Sequence, residues 1–141
     1  MNRRTLLRRA ALLLAFAAVA AGCPAPTDDP ARAFRLFVDR VQAGDTDGAW
    51  ELLSRDSQEA LTDLVKRRSA ASGGAIPADP KQALFGSATL ARPIEAVEVK
   101  QAGEKRAVLA VRHPGGESQD ITMVREADGW RLELDLGPEA G

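Results

Sequence analysis

The chain of 141 residues predicts an α+β domain, with N-terminal helices packed on one face of a curved antiparallel sheet of about four strands. Three observations predict it. Apolar residues recur with helical spacing between residues 30 and 68. From residue 94 onward the period drops to two, and short glycine-containing breaks separate extended runs, the pattern of antiparallel hairpins. Ahead of both lies a leader whose removal after residue 22 leaves 119 residues, enough for one domain with one modest core.

The leader comes first in the chain. Residues 1–9 carry four arginines and no acid, residues 10–21 are apolar without interruption, and Gly22 and Cys23 come next. A basic stretch, an apolar stretch and then small residues form an export signal. The apolar run is shorter than the roughly 20 residues a membrane-spanning helix needs. Ala20-Ala21-Gly22-Cys23 resembles the lipobox of bacterial lipoproteins. The resemblance implies that the Cys23 thiol receives a diacylglyceryl group, that the signal is cut before Cys23, and that the new N-terminus is acylated. The competing reading is an ordinary signal peptide cut near Ala21 or Gly22. It would leave a lone exposed thiol in an oxidising compartment, which invites intermolecular pairing. Residues 2–8, with Arg3 and Arg4, are similar to the twin-arginine export motif, which implies a route for folded cargo. An arginine-rich signal of the general route reads the same way.

Composition constrains the mature part, from Cys23 onward. It holds 15 of the 19 basic residues and all 20 acidic ones, a formal charge of −5. Nucleic-acid binders present a basic surface, so this balance argues against that partner. A single cysteine permits no internal disulfide, and stability must come from packing. One histidine and no tyrosine leave few of the usual proton-transfer groups.

Residues 23–30 read as a lipidated N-terminus and a short extended tether, because proline holds itself and its predecessor away from helix. Asp29 and Pro30 then suit an N-cap and a first helical position. Phe34, Phe37, Val38 and Val41 fall on one helical face, and Gly44 supplies the stop. Asp45-Thr46-Asp47 offers caps for a second helix with Ala49, Trp50 and Leu53 inward. Asp56 and Glu59 resemble a capping box for a third, which carries Leu61, Leu64 and Val65 inward and Lys66-Arg67-Arg68 in its last turn. Residues 69–80 read as a loop, and Ala83-Leu84-Phe85 as a helical turn against the core.

Four strands are predicted at 94–100, 106–113, 119–126 and 130–136. The second is apolar on both faces and belongs in the middle of the sheet. In the last, Trp130, Leu132, Leu134 and Leu136 alternate with Arg131, Glu133 and Asp135, one face dry and one wet. The domain therefore spans residues 31–136, with 137–141 as a tail.

The stretches Ala33-Phe34-Arg35-Leu36-Phe37, Ala43-Gly44-Asp45 and Ala49-Trp50-Glu51-Leu52-Leu53-Ser54 resemble the opening of the nuclear-transport-factor-like fold, cystatin-like in outline. Asp128-Gly129-Trp130-Arg131-Leu132 is similar to the last hairpin of small bacterial lipoproteins in that group. The resemblance implies a cone-shaped domain with a cavity, used by family members for small-ligand binding, isomerase or dehydratase chemistry, or protein association.

Candidate site residues are few. Phe37, Trp50 and Trp130 could line such a cavity, although aromatic residues on apolar faces serve the core as readily. His113, before Pro114 at a strand end, is expected in an exposed turn without an acidic neighbour. Asp45 and Asp47 read as caps. No serine has a Ser/His/Asp context, and no catalytic residue, metal site or cofactor is indicated. The expectation is a non-enzymatic lipoprotein of the cell envelope, held in the membrane through Cys23. It faces the periplasm or cell exterior and binds a protein or a small apolar ligand. The alternative is a cavity enzyme of the isomerase or dehydratase type, using an inward carboxylate such as Asp120 or Glu98.

Overall fold

The first helix begins and ends where its local chemistry dictates. In the computed structural model, which describes residues 25–86 and 92–137, α1 (Pro30–Gln42) opens with the Asp29 carboxylate accepting from the Arg32 N–H at 2.9 Å. It closes at Gly44, whose φ of 72° lets Gly44 N–H reach the Val41 carbonyl and Asp45 N–H the Arg40 carbonyl. Ala33, Phe34, Phe37 and Val38 form its buried face. The leader with Arg3, Arg4 and Cys23, residues 87–91 and residues 138–141 lie outside the described residues.

Asp45 then caps α2 (Thr46–Glu51), accepting from Gly48 N–H at 2.9 Å. The chain leaves α2 through Leu52, Leu53 and Ser54. There the Ser54 N–H donates to the Leu132 carbonyl and the Leu132 N–H donates to the Leu52 carbonyl, both at 2.8 Å. This one-residue parallel bridge fixes where α3 (Arg55–Ala71) starts. The cap is therefore Ser54, whose hydroxyl accepts from Ser57 N–H at 3.1 Å, and not Asp56. Asp56 sits inside the first turn, where negative charge favours the helix dipole. The helix also outruns its expected end at the exposed basic triplet, reaching Ala71, and a connector over 72–79 leads to α4 (Pro80–Phe85). Phe85 lies 6.3 Å from Phe37, ring centre to ring centre.

The sheet is open, antiparallel and ordered β1 (Ala96–Ala102), β2 (Arg106–Arg112), β3 (Ser118–Glu126), β4 (Gly129–Glu133). The apolar second strand is interior, as its composition predicts. Ala107, Leu109 and Val111 are buried beneath the helices, while Val108 and Ala110, on the opposite face, are half-buried. Edge strand β1 carries an irregularity between Val99 and Gln101, a common way to discourage further pairing at an edge. The main core joins α1 and α2 to the sheet. A smaller one gathers Leu61, Leu64 and Val65 of α3 around Leu84, Leu134 and Leu136.

Most strand ends differ from expectation by one to three residues, and two of the differences matter for the site. The first strand starts at Ala96, and Ile94 packs on the core ahead of it. The last stops at Glu133, although the alternation continues to Leu136. Beyond Glu133 the chain turns from β3 toward α3, and Leu134 N–H donates to the Ser57 hydroxyl at 2.8 Å.

Candidate functional site

A concavity opens beside this end of β4. β4 pairs with β3 only from Thr122 onward, so residues 118–121 of β3 have no strand on that side. A cleft of about 710 Å³ lies between this stretch, α1 and residues 132–135. Apolar side chains line its inner part: Phe34, Phe37 and Val38 from α1, and Val111, Ile121 and Leu132 from the sheet. Each is there because its backbone position alternates or recurs onto the helix-facing side.

The rim is charged and paired. Asp120 meets Lys100 at 2.8 Å, and Glu133 meets Arg106 at 2.7 Å. Arg92 meets Glu117 at 2.5 Å and holds its carboxyl below the usual carboxylate range, chiefly through that hydrogen bond. Neither carboxylate of the enzyme alternative is buried. Asp120 is 57% exposed at the rim, and Glu98 lies exposed opposite Ala110 on the outer face.

His113 is the residue that sequence reasoning misplaced. The expected exposed turn instead folds inward, leaving His113 only 6% exposed and part of the cleft wall. Its Nδ1 lies 2.8 Å from the Pro93 carbonyl. A carbonyl only accepts, so Nδ1 carries the proton and donates it to Pro93. Nε2 is buried with no partner among the described residues. Pro93 is 20 residues away in sequence, so no local signal in the turn could have placed it there.

Of the three aromatic residues expected at a cavity, Phe37 lines the cleft. Trp130 is 4% exposed in the core toward the opposite end of the sheet, with the Arg125 guanidinium 5.9 Å from its ring centre. Trp50 is half-buried and packs against both apolar clusters. Asp45 acts as a helix cap, and Asp47 pairs with Lys81. No group of three or more His, Cys, Asp or Glu side chains among the described residues is arranged to hold a metal ion. No described helix is long and apolar enough to cross a membrane.

Comparison with protein-family models, with curated proteins and with solved structures gives no significant match for this chain.

Proposed function

We propose that this chain is an exported lipoprotein of the cell envelope, anchored through Cys23, whose domain binds a small apolar ligand in the cleft without transforming it. The observation that carries the binding reading is the cleft itself. Its volume of about 710 Å³ falls in the range of small-molecule sites, and apolar walls under a polar rim are the common make-up of such sites. The anchor rests on the lipobox-like residues 20–23. Membership of the nuclear-transport-factor-like group rests on the order of elements and the quoted stretches.

A binding role is favoured over catalysis by the state of the polar groups. His113 commits Nδ1 to a backbone carbonyl rather than to a carboxylate, and exposed Asp120 and half-buried Glu133 are each held in an ion pair with a basic side chain. A carboxylate base is usually tuned by burial, which raises its pKa, whereas a paired cation favours the ionised form and ties the group up.

The test is a titration of the mature chain with N-phenyl-1-naphthylamine, an apolar fluorophore. Saturable enhancement that falls several-fold in Gln119→Trp, a plug at the cleft rim, supports the reading. No saturable enhancement, or enhancement indifferent to the plug with folding intact, overturns it. Intact mass of membrane-extracted protein tests the anchor separately.

A further inference from the structure

The N-terminal segment does not hang free of the domain. Residues 25–28 form a turn in which Asp28 N–H donates to the Ala25 carbonyl at 3.0 Å and Ala25 N–H to the Asp28 carboxylate at 2.8 Å. Beyond it, Trp130 N–H donates to the Thr27 carbonyl at 2.8 Å, and the Thr27 hydroxyl donates to the Asp128 carbonyl at 3.3 Å. Thr27 is thus fastened to the β3–β4 turn. Gly129 makes the approach possible: a Cβ there would stand 2.5 Å from the Thr27 hydroxyl.

We infer that the domain sits on its membrane in one orientation, with the β3–β4 turn against the lipid surface and the far end of the cleft pointing away. The inference rests on the proposed lipid on Cys23. Only Cys23 and Pro24 then separate the acylated atom from the turn at Ala25, a span of about 7 Å fully extended. So short a tether holds Asp128 and Gly129 close to the bilayer surface, whatever the charge of that face.

The register places the cleft at the other end. Glu126 pairs with Gly129 beside the tether, while Gln119 and the His113–Glu117 turn lie seven and more residues back along β3. At about 3.3 Å per residue that is some 20–30 Å from the anchored end. The far end of the cleft therefore opens to the aqueous compartment, and its ligand arrives from solution rather than from the leaflet that holds the anchor.

Full-length lipidated protein in phosphatidylethanolamine–phosphatidylglycerol vesicles tests this. Ala127→Cys and Ser118→Cys place thiols on exposed positions at the two ends. Each is labelled with bimane, and quenching by nitroxide-headgroup lipid is measured, with circular dichroism to verify folding. The expected result is several-fold stronger quenching at 127 than at 118. Equal or reversed quenching overturns the orientation. Inserting 20 Gly/Ser residues between Pro24 and Ala25 is expected to abolish the contrast, and a contrast that persists overturns the tether argument. The wild-type chain is the control, because its only cysteine is consumed if lipidated. Labelling of wild type defeats the anchor itself, a failure distinct from a lipidated protein that sits the other way.

Discussion

The Ser57 hydroxyl accepts the N–H of Leu134, 77 residues along the chain, at 2.8 Å, and also accepts from the Ser54 hydroxyl at 2.7 Å. Both lone pairs of one buried oxygen are used. The bond continues the outward-facing series of Trp130 and Leu132 N–H groups, which donate to Thr27 and Leu52, and fastens the end of β4 to α3. Ser57→Ala leaves Leu134 N–H and the Ser54 hydroxyl short of an acceptor. The expected cost is about 1–3 kcal/mol, read as a lower urea midpoint with an unchanged m-value. Wild-type stability would show that water or another acceptor replaces the serine.

Gly129 has φ of 128° and faces the Thr27 side chain and carbonyl at under 3 Å from any added Cβ. Gly129→Ala is expected to destabilise by about 1–3 kcal/mol, through backbone strain and displacement of Thr27. The specific readout is hydrogen exchange at the Trp130 amide. It should accelerate in the variant more than amides of β2 do.

His113 fills part of the cleft wall, and its buried Nε2 has no partner among the described residues. Replacing it with Phe keeps most of the volume, loses the bond to Pro93 and removes the orphan nitrogen. These effects oppose, and the expected change is within about 1 kcal/mol. His113→Ala removes the ring and should cost about 2–4 kcal/mol, in the range of large-to-small core changes. Equal losses for both variants in urea denaturation would show that the Pro93 bond, not the ring volume, holds this corner.

Asp45 receives the Gly48 N–H and the Arg40 guanidinium, and these hold its carboxyl below the usual 3.8. A carboxyl depressed on folding stabilises above its unfolded pKa, and that contribution is lost as pH falls through the folded value. Asp45→Asn keeps a capping oxygen but not the charge. Urea midpoints of variant and wild type should differ most near neutral pH and converge as pH falls through the lowered Asp45 value. A gap independent of pH would mean that geometry, not charge, makes Asp45 a good cap.

Helix positions were legible because their causes are local. Asp29-Pro30 and Gly44 mark the ends of α1 through side-chain oxygens and backbone sterics that act within a few residues. The spacing of Phe34, Phe37 and Val38 specified the buried face, and the alternation of Trp130 and Leu132 did the same for β4. The central place of β2 comes from apolar residues on both its faces.

Tertiary structure alone decided the rest. Leu134 and Leu136 keep the strand period yet lie beyond the last β3 pair, with Leu134 N–H, on the edge facing away from β3, bonded to a serine in α3. Ser54 displaced Asp56 as the cap because Leu132 fixes its backbone. His113 went inside because Pro93 offers a carbonyl from 20 residues away. Thr27 left the expected extended tether because Trp130 offered an edge N–H. Periodicity reports which side of an element is apolar. It carries nothing about which distant backbone group is left unpaired, and such groups hold His113 inside and dock Thr27 on the β3–β4 turn.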